Sequence, residues 1–237
     1  MSQLNNPYAS FSTVAAQAPA VERADFIKRT YIHLAAAVYA FAALEFAIFK
    51  LLPVEEFVQK MFSVQYSWLI VLAAFMGVSW LANSWAQSAT SLPKQYAGLF
   101  LYVLAEAVIF IPILFVASTM GPSIIQTAAI ITLIMFAGLT AAVFFTGTDF
   151  SFMRTGLTLA GFAALGLIAC SILFGFQLGN LFTVAMIVFA SAYILYDTSN
   201  VMHHYRTDQH VAAALALFAS VALLFWYILR LVMASRD

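Results

Sequence analysis

Seven long apolar runs divide this chain, at residues 30–52, 67–87, 95–117, 123–145, 155–175, 180–197 and 211–234. Each is about 20 residues long, the length an α-helix needs to cross a hydrocarbon core about 30 Å thick. Backbone N–H and C=O groups in lipid must be satisfied inside their own segment, so these runs are expected as helices. The fold class predicted is an all-α membrane protein with seven transmembrane helices. Composition leaves little room for another class: 64% of the 237 residues are hydrophobic and 8% are charged, against about a quarter charged in soluble domains.

The separators are short and carry breakers or charge. They are Pro53 with Glu55 and Glu56, Pro93-Lys94, Gly121-Pro122, and residues 147–154, 176–179 and 203–210. The tight connection after Gly175 makes spans five and six a close antiparallel hairpin. Residues 1–24, rich in Ser, Ala, Gln and Asn, read as a disordered leader ahead of one seven-helix domain at 25–237. They lack the basic start and apolar core of a signal peptide. The single cysteine, Cys170, excludes an intrachain disulfide and reads as a small packing residue. A net charge of zero gives no sign of a nucleic-acid partner; the expected surroundings are a lipid bilayer.

Basic residues set the orientation. With the N-terminus inside, the cytoplasmic segments hold Arg23, Lys28, Arg29, Lys94, Arg154 and Arg206, and the opposite side holds Lys50, Lys60, Arg230 and Arg236. The two outer connections after spans three and five carry neither Lys nor Arg. The expectation is a cytoplasmic N-terminus, a periplasmic C-terminus, and Asp197 at the cytoplasmic end of span six.

A carboxylate in hydrocarbon costs about 2.5–3.5 kcal/mol on insertion scales unless it has a partner, water or a purpose. Asp197 closes span six in Tyr-Ile-Leu-Tyr-Asp-Thr-Ser-Asn. Helical spacing places Tyr193, Asn200 and His204 on its face at i−4, i+3 and i+7. That polar stripe suits a proton or a hard cation such as calcium. The plainer reading is an interfacial Asp that caps a neighbouring helix or pairs with Lys94 or Arg154. Glu106, in the middle of span three before Pro112, is a second candidate, as proton carrier or as structural hydrogen-bonding group.

Other polar residues carry less. Glu45 and Arg230 lie in the outer halves of spans one and seven and are expected as a structural ion pair. His33 reads as a hydrogen-bonded interfacial residue. His203 and His204 are adjacent, so on a helix they point about 100° apart; no metal site is expected. Gly156, Ala160 and Ala164 form a small-residue stripe expected to pack closely within the bundle.

Several seven-helix chemistries fail against the letters. Span seven has no lysine for a retinal Schiff base, and only His33 lies within a span, so paired haem ligands are missing. Gly-Val-Ser-Trp at 77–80 lacks the second glycine of an intramembrane serine protease, and paired aspartates are absent. Nothing argues for an enzyme.

Two further segments carry a resemblance. Tyr-Asp-Thr-Ser-Asn at 196–200 precedes a short polar loop and an apolar last helix, and Leu-Thr-Ala-Ala-Val-Phe-Phe-Thr-Gly-Thr-Asp-Phe-Ser-Phe at 139–152 joins spans four and five. With seven spans and an Ala-Ser-Arg-Asp end, the chain from about Phe26 onward resembles the Bax inhibitor-1/YccA family. The resemblance implies a bacterial inner-membrane protein with its last helix at the centre of the bundle. It also implies a pH-sensitive calcium leak in some members, cell-death suppression in eukaryotes, and modulation of a membrane-bound ATP-dependent protease by a bacterial member. The leak is ascribed to paired acids on the last two helices, helped by an arginine after the second. Asp197 matches the first acid, while the partner position reads Ser220. No arginine follows span two, where Asn83, Gln87 and Lys94 are the nearest polar residues.

Two functions are therefore expected in competition. One is a passive calcium or cation leak with Asp197 at the cytoplasmic gate and calcium as permeant or bound ion rather than cofactor. The other is a non-conducting modulator of a membrane-bound ATP-dependent protease. A proton-coupled carrier using Glu106 comes third.

Overall fold

The computed structural model describes residues 13–63, 66–88 and 91–236. Eight α-helices follow in chain order: α1 (Ala20–Leu51), α2 (Val54–Ser63), α3 (Ser67–Ala86), α4 (Leu92–Met120), α5 (Pro122–Thr146), α6 (Arg154–Phe174), α7 (Asn180–His203) and α8 (His210–Ala234). All but α2 are long and apolar enough to cross a membrane, so the seven predicted spans are present. The β element among the described residues is one isolated antiparallel bridge, Val14 to Arg206.

Helix α8 is the axis of the bundle, as the family resemblance implies. It packs on α1, α3, α4, α5 and α7, and its buried residues run from His210 to Leu229. The sequence explains this. Lipid tails are as apolar as Leu, so helices meet where small side chains let backbones approach. Ala212, Ala213, Ala214, Ser220 and Ala222 supply such faces, and all are buried. Helix α6 is the opposite case. It leans on α7 and touches α3 weakly, and it turns Leu159, Phe162, Leu167 and Phe174 outward.

Several hydroxyls within the spans close on a carbonyl of their own helix, the bond open to them where water is scarce. Thr132 donates to Ala128 O at 2.7 Å and Ser191 to Ile187 O at 2.8 Å. Helices α5 and α6 end at Gly147 (φ 62°) and Gly175 (φ 71°), left-handed caps that favour glycine. Helices α3 and α4 approach closely at Gly98. A Cβ on Gly98 would stand 2.5 Å from Ala82 O and 2.6 Å from Ala86 N, so only glycine fits.

Several boundaries differ from those read in the sequence. The charged residues from Glu22 to Arg29 belong to α1, which begins at Ala20, well before the start of the span read at Thr30. Pro93 and Lys94 form the first turn of α4, where Ser91 caps the end and a missing N–H costs nothing. The separator after Pro53 is itself a helix: α2 buries Val54 and Val58 against Ile111 and leaves Glu55 and Glu56 outside. Asp197 lies inside α7, which continues to His203.

The leader at 1–24 also reads differently. Residues 1–12 lie outside the described residues, but 13–24 are built into the fold. Ala15 is fully buried, its N–H donates to Tyr205 O at 2.8 Å, and Thr207 N–H donates to Thr13 O at 3.1 Å. The Thr207 hydroxyl donates to Glu22 at 2.6 Å. Low hydrophobicity suggested disorder, but these backbone bonds are invisible to composition. The small-residue stripe fails as well: Gly156 has nothing within 4 Å of an added Cβ, Ala160 is exposed, and only Ala164 is buried. Cys170 is exposed on α6, not packed.

Candidate functional site

Asp197 is buried, 7% exposed, and faces α8. Its Oδ2 accepts a hydrogen bond from the hydroxyl of Ser220, which is 4% exposed and lies 3.2 Å from its own helix carbonyl at Ala216. The two positions that the family resemblance aligns are thus in contact, with a neutral donor where a second acid was expected.

Ser220 separates Asp197 from a large cleft. The cleft holds about 810 Å³ and is floored by α4, α7 and α8, with α3 and α6 as its flanks. Glu106 and Tyr193 line it, as predicted site residues, and so does Asn83, whose Nδ2 donates to Ser79 O at 2.9 Å. Glu106 is 6% exposed. Tyr102, one turn earlier on α4, lines the cleft together with Glu106 and Ser79. Its ring packs edge-on against Phe218 at 6.1 Å. Tyr102 is the residue that sequence reading missed, although its i−4 spacing from Glu106 on one helix face was available.

Asn200 and His204 do not join this group. The Asn200 carbonyl accepts the N–H groups of His204 and Tyr205 at 2.8 and 2.9 Å, closing the helix. His204, exposed past the end of α7, turns its Nε2 to Asp149 Oδ2 at 3.0 Å. The stripe breaks because i+7 falls beyond the last helical turn. Asp149 belongs to the α5–α6 connection and also takes the Ser199 hydroxyl at 3.3 Å and the Ser151 N–H at 2.9 Å. The Ser151 N–H first, then His204, holds its carboxyl down at about 2. Gln87 and Lys94 are exposed at helix ends.

The expected Glu45–Arg230 pair does not form. Arg230 donates to Leu178 O and lines the large cleft. Glu45 is 7% exposed with neither oxygen hydrogen-bonded among the described residues, in a separate cavity of about 290 Å³ bounded by Phe41, Thr132, Phe218 and Phe225. The two residues face opposite sides of α8. His33 does find interfacial partners, Arg29 O at 2.7 Å and the Tyr96 hydroxyl at 3.0 Å.

Chemically the inner end of the cleft is an oxygen site: Glu106, Tyr102, Tyr193, Ser79 and Ser220, with Asp197 behind. Such groups attract hard cations. Among the described residues no three His, Cys, Asp or Glu side chains converge as a metal cage. Near Asp197 the bundle also holds a buried apolar cluster that includes Val201, Val211, Ala214, Leu215 and Ala15.

A family model described as Inhibitor of apoptosis-promoting Bax1 matches residues 23–237. The uncharacterized protein PA2604 of Pseudomonas aeruginosa is 31% identical over 169 residues, 68% of this chain and 72% of the relative.

Proposed function

The chain belongs to the Bax inhibitor-1 family, and from that premise we propose that it is a passive cation leak, with calcium as its ion and Asp197 at its gate. The observation that carries this is the buried Asp197 held by Ser220 of the central helix at the back of a cleft of about 810 Å³. A bundle that only had to be stable would fill such positions with apolar side chains, because an intramembrane carboxylate is costly. The cleft serves as a vestibule on one side. On this reading the packed residues around Val201 and Leu215 close the other side.

The protein is a multi-pass membrane protein, and we place it in a bacterial inner membrane with its N-terminus cytoplasmic and its C-terminus periplasmic. Seven crossings put the ends on opposite sides, and the end bearing Arg23, Lys28, Arg29, Lys94, Arg154 and Arg206 is the more basic one.

The competing role, a non-conducting modulator of a membrane-bound ATP-dependent protease, would gain from a free N-terminal tail that a protease can engage. The pairing of Val14 with Arg206 shortens that tail and weakens the argument. Purified protein in calcium-loaded liposomes separates the two. Efflux above protein-free vesicles supports the leak; no efflux, together with co-purification of a protease, supports the modulator.

A further inference from the structure

We propose that the cleft between α3 and α6 binds an anionic phospholipid of the surrounding bilayer, its phosphate on Arg230 and one acyl chain running inward between the two helices. At about 810 Å³ the cleft falls in the range of small-molecule sites, and its walls are mostly apolar, Leu72, Phe75, Leu165, Ile168 and Leu223 among them. Helices α3 and α6 barely touch. Their outward residues, Ile70 and Met76 on one and Phe162 and Leu167 on the other, are exposed apolar groups that lipid must cover. Acyl chains therefore have lateral access to the cleft through the gap between these helices.

Charge fixes the head of the ligand. Arg230 gives one donor to Leu178 O and forms no ion pair among the described residues. A guanidinium has five N–H donors in a planar fork that matches phosphate, so one carbonyl leaves it unsatisfied. Trp68 and Trp226 stack at 6.1 Å and both line the cleft, Trp226 within one helical turn of Arg230; tryptophan favours headgroup depth. From Arg230 inward to Ser220 is ten residues of α8, about 15 Å at 1.5 Å each. At that inner end Glu106 offers an acidic head no partner, so the lipid enters head at Arg230, and its tail covers the apolar walls short of the oxygen groups near Ser220.

The binding does not depend on conduction, and its test reads binding alone. The full chain carrying Trp80→Phe and Trp85→Phe keeps Trp68 and Trp226 as reporters. Reconstituted in phosphatidylcholine nanodiscs, it is titrated with phosphatidylglycerol brominated on its acyl chains, or with phosphatidylcholine brominated identically. Quenching by the anionic lipid should saturate at a few mole per cent, with at least a tenfold preference over the zwitterionic one. Arg230→Gln should abolish that preference and Arg230→Lys should retain part of it. Ala164→Phe, which fills the cleft and leaves Arg230 intact, should remove the saturable component, and it carries the test if Arg230→Gln does not fold. Equal quenching by both lipids in the parent, or saturable quenching unchanged in Ala164→Phe, overturns the proposal.

Discussion

Ser220 of α8 donates its hydroxyl to Asp197 of α7, joining the central helix to its neighbour through a buried carboxyl group. A lone serine beside one acid differs from a pair of acids. Two close carboxylates share a proton and titrate together, whereas a hydroxyl only donates. Ser220→Ala leaves a buried acceptor unpaired and should cost about 1–3 kcal/mol, read as a lowered thermal transition in detergent. An unchanged transition would mean the bond contributes nothing to the fold.

Gly98 sets the distance between α3 and α4. A methyl group there meets backbone atoms of Ala82 and Ala86 at 2.5 and 2.6 Å, which cannot rotate away. Gly98→Ala should therefore destabilise by about 1–3 kcal/mol, the usual cost of overpacking. Because α3 flanks the cleft, the same variant should alter its shape. Wild-type stability in Gly98→Ala would show that the two helices can part freely.

Asp149 ties the α5–α6 connection to the end of α7 through Ser199 and His204. Its carboxyl is held at about 2, below the unfolded value of about 3.9. A depressed carboxyl stabilises above the unfolded value, and that contribution disappears as pH falls through the folded one. Hydrogen exchange over residues 148–154, corrected for intrinsic rate, should show constant protection from pH 7 to about 4, fading toward pH 2. Asp149→Asn should exchange faster throughout. Protection already lost at pH 5 would contradict the assignment.

Among the described residues Glu45 has no hydrogen-bonding partner for either oxygen, and it lines a cavity whose walls are mostly apolar. An apolar replacement removes a polar group that has no bond to lose, so Glu45→Leu should be neutral or stabilising. Combined with Arg230→Ala it should give additive effects, since the two residues do not touch. A coupling energy above about 0.5 kcal/mol would restore the ion pair.

The seven spans were legible because lipid demands long apolar helices, and hydropathy reports length directly. Helix ends were less so. The span read as ending at Asp197 runs on to His203, with Thr198 and Ser199 fully buried in α7. The Asp197–Ser220 contact was reachable only through family resemblance, and Tyr102 beside Glu106 through helical spacing. What no single sequence gives is the rotation of each helix about its axis. That is why Glu45 and Arg230, at matching depth, were expected to meet and instead face opposite sides of α8.

Calcium efflux from liposomes containing the wild type or Asp197→Asn tests the central claim most directly. Asparagine keeps the shape and still accepts from Ser220, so the fold should survive while the charge is gone. The account predicts efflux in the wild type, a change of at least fivefold in Asp197→Asn with an unaltered thermal transition, and a new pH dependence in Ser220→Asp, where two acids must share a proton. Wild-type efflux that Asp197→Asn leaves untouched across pH 5 to 8 would make Asp197 a structural residue and contradict the account.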